Sequence, residues 1–277
     1  MAFKKLGLAI TFSPTGKALL FEAKRFCDLF GAEIVFIHNG ERTSETETKL
    51  NELISEAGYN QSSVSLEWVK GDIADTIIQK AEEKNVDLLL AGALEKENII
   101  RYFSGSVARK IMREAKCSVL ILTSPSVNPK GFKKFCVSAE YSPQGEKTIR
   151  SAFQFALKEN AEGFTLIRDF HAPGLAVTVQ DSGSFDKVEA ARKQWQEEEE
   201  EKMKLFVKEL NLHGLEIKIV CLYGKEGWEA SNFARANNAD VFAVSGPAKK
   251  VRFIDRLFPH EVEYSFEKLP SNLLIIK

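Results

Sequence analysis

The feature that most constrains this chain is that it repeats itself. Phe12-Ser13-Pro14-Thr15-Gly16 returns as Tyr141-Ser142-Pro143-Gln144-Gly145, each at the end of an apolar run and each opening a helix-like segment. Val69-Lys70-Gly71-Asp72 is answered by Leu222-Tyr223-Gly224-Lys225, and Asp87 to Gly92 by Asp240 to Ser245. Each half closes on an apolar strand, Ser118 to Thr123 and Asn272 to Ile276. The early pairs lie 129 positions apart and the later ones 153, so the second copy carries one long insertion. A repeat of this length is a duplicated domain, because solenoid units are far shorter.

Two domains suit 277 residues, and each half is long enough to bury its own core. A net charge of -1 supplies no global basic field, so neither nucleic acid nor an anionic membrane surface is expected as a partner. No apolar stretch approaches the roughly 20 residues that span a bilayer. Met1 to Lys5 runs straight into a strand-like segment, and no signal peptide is expected. Cysteines 27, 117, 136 and 221 are scattered without a CxxC pair or a histidine at metal-ligand spacing. Reduced thiols in a cytoplasmic protein without a metal cofactor are the expectation.

Apolar runs alternate with amphipathic segments throughout. In the first half strands are expected at Leu6–Ile10, Glu33–His38, Val64–Lys70, Leu88–Ala91 and Val119–Thr123, with helices at Thr15–Phe30, Thr46–Ala57, Ala74–Lys84 and Ser106–Ala115. Uniformly apolar strands separated by helices indicate a parallel sheet covered on both faces. Ser124 to Gly131 reads as a linker by its prolines, serines and glycine. The organisation expected is a first domain over 1–126 and a second over 131–277, with an acidic helical insertion near 170–210. Glu197 to Glu201 are five consecutive glutamates, read as a solvated helix face.

In such a sheet ligands bind beyond the carboxyl ends of the strands, near helix N-termini that present unpaired N–H groups to anions. After the fourth strand, Gly92 permits a sharp exit, Gly105 permits close backbone approach to a phosphate, and Ser106-Val107 opens a helix. Other nucleotide motifs fail. Gly16-Lys17 is no P-loop, since Thr11 stands five before Gly16 and Ala18 follows the lysine; there is no GxGxxG. The histidines at 38, 171, 213 and 260 fall at unrelated places in the two halves, and no Ser/His/Asp grouping recurs. Catalysis is not suggested.

Several pieces, taken in order and spacing, carry a resemblance. These are strand one followed by Phe12-Ser13-Pro14, Glu33 to His38, Gly71-Asp72, Asp87 to Gly92, Gly105-Ser106-Val107 and Cys117 to Leu122. In these the chain resembles the universal stress protein family, in its tandem two-domain form. The resemblance implies an α/β fold of two tandem doubly wound domains, each a five-stranded parallel sheet of order 3-2-1-4-5 with helices on both faces. It also implies ATP or a related adenine nucleotide as ligand, held through Gly, two residues, Gly, nine residues and Gly-Ser/Thr.

Carried over by position, the nucleotide-binding residues of the first half would be Ala9, Thr11, Asn39, Gly92, Gly105, Ser106 and Val107. Thr11 stands where the family places a ribose-binding aspartate, and Asn39 where adenine meets main-chain groups. Glu95 replaces the second glycine of the phosphate loop and sets a carboxylate against a triphosphate. In the second half Glu140 keeps an acid at the ribose position and Asp169 falls at the adenine position. Lys249 replaces the second glycine and Pro259-His260 the Gly-Ser, and proline has no N–H to offer phosphate. ATP is therefore expected only in the first half. The reading is a cytoplasmic, non-catalytic stress sensor or regulator. The rival is a nucleotide-free interaction protein of the same fold; an adenylating enzyme lacks its SGGxDS, HxGH or KMSKS-like motif. The final strands, as apolar sheet edges, are expected to pair with each other and make the chain an intramolecular pseudo-dimer.

Overall fold

The computed structural model describes residues 3–60, 64–93, 106–170, 183–224, 227–246, 269 and 271–277. The first half runs β1 (Lys5–Ala9), α1 (Pro14–Phe30), β2 (Glu33–Asn39), α2 (Ser44–Glu56) and β3 (Val64–Val69), then α3 (Ile73–Glu83), β4 (Leu88–Gly92), α4 (Ser106–Glu114) and β5 (Ser118–Leu122). The second half runs β6 (Lys134–Ser138), α5 (Pro143–Lys158), β7 (Gly163–Phe170), α6 (Gly183–Leu210), β8 (Ile217–Tyr223), α7 (Trp228–Ala236), β9 (Val241–Ser245) and β10 (Asn272–Ile276).

The repeated Ser-Pro-x-Gly is a helix start. Ser13 caps α1 by accepting from Gly16 N at 3.0 Å, and Ser142 caps α5 by accepting from Gly145 N at 2.9 Å. Pro14 and Pro143 fill the first helical position, where a missing N–H costs nothing. At the opposite end of β1, Asp87 accepts from Lys4 N and Lys5 N; Asp240 does the same for Lys133 N and Lys134 N. The two aspartates pin the first strand of each half at the same place.

Each half is a five-stranded parallel sheet in the order 3-2-1-4-5, and the halves join edge to edge. β5 and β10 pair antiparallel, with Leu273 opposite Ile121, Leu274 opposite Leu120 and Ile275 opposite Val119. The result is one ten-stranded sheet, β3-β2-β1-β4-β5-β10-β9-β6-β7-β8. Helices α1, α2, α5 and α6 cover one face over a core drawn from both halves. Helices α3, α4 and α7 cover the other face over a second shared core.

On the α1 face the seam is aromatic. Phe26 lies 5.8 Å from both Phe132 and Phe155, and Phe30 lies 5.0 Å from Phe155. Against this cluster Arg25 is stacked 4.2 Å over Phe26 and 4.8 Å over Phe132. Its guanidinium donates to Glu159 at 2.6 Å and to Glu22 at 3.4 Å. Those two buried carboxylates also hold the ends of the linker: Glu22 accepts from Ser126 N and Glu159 from Phe132 N, each at 3.3 Å. Burial pushes the Glu22 carboxyl upward, while Arg25 and the Ser126 N–H oppose that shift.

This cluster generates a test. Arg25→Met keeps the apolar stem but leaves Glu22 and Glu159 buried without a cation, and should cost roughly 3–5 kcal/mol at pH 8. Protonation of Glu22, whose carboxyl burial already pushes upward, relieves part of the cost, so the deficit should shrink toward pH 5. Urea unfolding of variant and parent at the two pH values measures it; a pH-independent deficit would contradict the ionic account.

Candidate functional site

β1 pairs with β2 on one side and β4 on the other, so the order of strands reverses at β1. Leu8 stands opposite Leu90, which brings the ends of β1 and β4, Ala9 and Gly92, side by side. From there the chain leaves to opposite faces, into α1 from one strand and toward α4 from the other. A crevice opens at such a switch point.

Ala9 and Gly92 are half-buried at its base. Gly92 is small for a packing reason: a Cβ there would come within 3.0 Å of Leu19 Cδ1 and 3.4 Å of Thr15 Cγ2. Thr11 is exposed at the rim, its hydroxyl 2.9 Å from the Ser13 hydroxyl. Gly16 must also lack a Cβ, which would lie 2.3 Å from Thr11 O. Ser106 begins α4, and Val107 is half-buried against the second core. Lys110, just over one turn along α4, reaches Asp75 at 2.6 Å and Asp72 at 3.3 Å, so its charge is already shared with the start of α3. Gly105 and Glu95 lie outside the described residues, as do Lys249, Lys250, Arg252, Pro259 and His260.

Asn39 is not at the crevice by its side chain. It ends β2, and its amide donates to Thr76 Oγ1 at 2.9 Å and Gly71 O at 3.2 Å, tying the strand to the start of α3. A histidine stands beside it in the same strand. His38, buried, holds Ile10 O with Nδ1 at 3.1 Å. Its ring lies edge-on between Phe12 at 5.3 Å and Trp68 at 5.0 Å. Phe12 is 45% exposed and forms an aromatic wall beside Thr11. The recurrence of an aromatic before Ser-Pro, as Phe12 and Tyr141, was the available signal.

In the second half the equivalent positions are filled. Ser245 replaces Gly92 and Thr148 replaces Leu19; both are buried and their hydroxyls lie 3.0 Å apart. Gln144 donates to Ile276 O at 2.7 Å, and the Lys277 stem lies over Gly246. Above them the end of α6 packs down, with Phe206 5.3 Å from Tyr141. Glu199, within the run of five glutamates, is buried and pairs with Arg168 at 3.1 Å, which itself stacks on Tyr141. The acidic run is thus not wholly a solvated face. Met203 and Leu210 of α6 are buried in the same core as Leu50 and Ala57.

Asp169 does by carboxylate what Asn39 does by amide. Oδ2 accepts from Gly227 N at 2.8 Å and Ala230 N at 3.2 Å, capping α7 from the end of β7, since Gly227 has no capping side chain of its own. Oδ1 is buried with no hydrogen-bond partner among the described residues. Burial pushes the carboxyl up to about 6 against the lowering effect of the two N–H donors.

Sequence comparison agrees with this architecture. Residues 2–123 match the model of the universal stress protein family. A universal stress protein of Methanocaldococcus jannaschii is 31% identical over 85 residues, a stretch covering 31% of this chain and 48% of that relative, about half its length. A protein of unknown function from Pseudomonas aeruginosa PAO1 shares the fold over 100% of this chain and 93% of its own, with a TM-score of 0.68 at 16% identity. A universal stress protein from Archaeoglobus fulgidus does so over 98% and 96%, with a TM-score of 0.62 at 15% identity. Residues 2–123 are thus similar to the universal stress protein family, and the second half has the same fold.

Two expectations follow from the geometry. Gly16→Ala should cost roughly 1–3 kcal/mol, because the first turn of α1 must back away from Thr11 O; thermal unfolding measures it. Asp169 is the second case. Its folded value lies above the 3.8 of an unperturbed aspartate, so the folded state holds the extra proton between about pH 4 and 6. Its contribution to stability is therefore greatest below that window and falls as pH rises through it. In Asp169→Asn the stability difference between pH 4.5 and 7.5 should shrink by about 2 kcal/mol relative to the parent, read by chemical denaturation at both pH values.

Proposed function

We propose that this chain is a cytoplasmic, non-catalytic stress-response sensor or regulator that binds an adenine nucleotide, ATP or a close relative, in its first half only. Its two halves, with boundaries at 1–126 and 131–277, act as an intramolecular pseudo-dimer through the β5–β10 edge. The observation that carries the reading is the contrast between the two switch-point crevices. In the first half Ala9 and Gly92 are half-buried at the ends of β1 and β4, with Thr11 and Phe12 exposed beside them. In the second half Ser245, Thr148, Gln144 and Lys277 occupy that place.

The first-half residues fit such a ligand chemically. Gly92 gives a base without a side chain, Thr11 offers a hydroxyl at the rim, and the start of α4 at Ser106-Val107 points N–H groups toward the same end of the sheet. Asn39 contributes by position, through the main chain beside it, because its amide is engaged by Thr76 and Gly71. Binding is expected to be weak. Lys110 is neutralised by Asp72 and Asp75, Thr11 lacks a carboxylate's acceptor capacity, and Glu95 adds a negative charge to the phosphate loop. Among the described residues of this arrangement no base and nucleophile stand in reach of each other, and the reading includes no metal cofactor. Among the described residues no helix is long and apolar enough to cross a membrane.

Glu95 separates this reading from a nucleotide-free interaction protein. Glu95→Gly removes one carboxylate from the phosphate loop and should tighten ATP binding to the full chain by roughly 1 kcal/mol or more at moderate ionic strength. The gain should decline with added salt and be smaller for AMP. Gly92→Leu, which fills the base of the crevice, should abolish binding. Calorimetric titration of the three proteins decides: unchanged affinity in Glu95→Gly, or equal gains for AMP and ATP, would favour the interaction protein.

A further inference from the structure

The duplication provides an internal control for every surface of the second half, and one surface departs from its counterpart. At the amino ends of β6, β7 and β8, beneath α7, lies a cavity of about 370 Å³. Cys136, Thr165 and Lys218 stand opposite one another across the three strands, and so present their side chains to one face. Lys134 precedes Cys136 by two residues on that same face, opposite Gly163. A Cβ at Gly163 would meet nothing within 4 Å, so the floor there is open. Phe233 of α7 and Ala239 complete the apolar part of the lining.

The first half closes the same place in two ways. Gly7, Val35 and Val86 stand where the second half has Cys136, Thr165 and Ala239, and they are packed: a Cβ on Gly7 would lie 3.0 Å from Val86 Cγ1. Val86 and Val35 are both buried in the second core. The rim is neutralised by ion pairs, Lys5 with Glu33 at 3.5 Å and Lys84 with Glu67 at 2.6 Å. In the second half Gly163 takes the place of Glu33, Lys218 that of Ser65 and Asn237 that of Lys84. Lys134 and Lys218 are left without a carboxylate partner among the described residues. The carboxylate at the rim, Glu162, leans instead toward Lys133 at 3.8 Å. Lys218 is near enough to Cys136 to act on it: burial raises that thiol to about 11, and the lysine's charge opposes the rise.

A cavity of this size is within the range that holds small molecules, and a few convergent polar groups in it set orientation. Here Phe233, Ala239 and Cys136 supply the apolar part of the lining, and Lys134 and Lys218, without a carboxylate partner among the described residues, stand beside it. We propose that this cavity is a binding site for a small amphipathic carboxylate, an aromatic or short branched acid whose body lies against Phe233, Cys136 and Ala239 and whose carboxylate meets Lys134 and Lys218. The site is independent of the β1/β4 crevice, from which it differs in half, in strand end and in ligand class. It assigns the second half a sensing role of its own, toward an organic acid instead of a nucleotide.

The test uses the full chain and phenylacetate as probe, with 2-phenylethanol as the neutral analogue of similar shape. Phenylacetate should bind by calorimetry and slow alkylation of Cys136 at pH 9, whereas 2-phenylethanol should bind at least tenfold more weakly. Lys218→Ser, the residue of the first half, should weaken phenylacetate about tenfold and leave 2-phenylethanol unchanged. Ala239→Val, again the first-half residue, should fill the cavity and abolish binding of both while the circular dichroism spectrum is kept. If Ala239→Val does not fold, the Lys218→Ser comparison decides alone. Absence of binding at millimolar phenylacetate, or binding indifferent to the lysine, would overturn the proposal.

Discussion

The pairing of β5 with β10 is the constraint on which the rest of the molecule depends. In a sheet of order 3-2-1-4-5 the fifth strand is an edge, with one row of N–H and C=O groups unpaired. β5 is buried along its whole length, and β10 along all but its first residue. Such a strand cannot face water on its open side without exposing Leu120 or Leu274, both fully buried at the pairing. Pairing the two edges within one chain removes both liabilities. It also makes the two helical layers continuous, so each core has residues from both halves.

Once the edges are paired, the linker has little freedom left, and the aromatic seam shows what fixes it. Glu22 from α1 and Glu159 from the end of α5 each hold one end of the segment from Ser126 to Phe132. Arg25 reconciles the two carboxylates in a setting from which water is excluded by Phe26, Phe132 and Phe155. A buried triad of this kind is weak evidence for net stability, since desolvation offsets much of its attraction. Its effect is on geometry. It sets the linker, and with it the register in which one half meets the other.

The fold was legible because its signals are local and doubled. Uniformly apolar strands, Ser-Pro-x-Gly helix starts and a fixed order of both in each half leave one architecture, and the strand and helix limits follow the sequence pattern closely. The sites were less legible, because what decides them is contact between residues distant in sequence. Asn39 reads as a residue at a ligand position, yet its amide is spent on Thr76, 37 residues away. Glu199 reads as one of five solvated glutamates; only the approach of Arg168 across 31 residues marks it as buried. Ser245 and Thr148 close the second crevice from 97 residues apart. No spacing rule reaches those pairs, whereas the Ser13 and Ser142 caps act three residues away and could be read directly.

The two ends of the second half are linked by the same element. α7 begins at Gly227 without a side-chain cap, and Asp169 fixes it to the carboxyl end of β7. The last turn of α7 lies over the amino ends of the strands, where Phe233 and Asn237 line the cavity. In the first half α3 has eleven residues, and Val86, Val35 and the Lys5–Glu33 pair finish the closure. The second half has none of those fillers, and Lys134 and Lys218 stand at the gap. Both halves anchor the helix at its start, by Asn39 in one and Asp169 in the other, so the cavity follows from the residues beneath α7 and not from the anchoring.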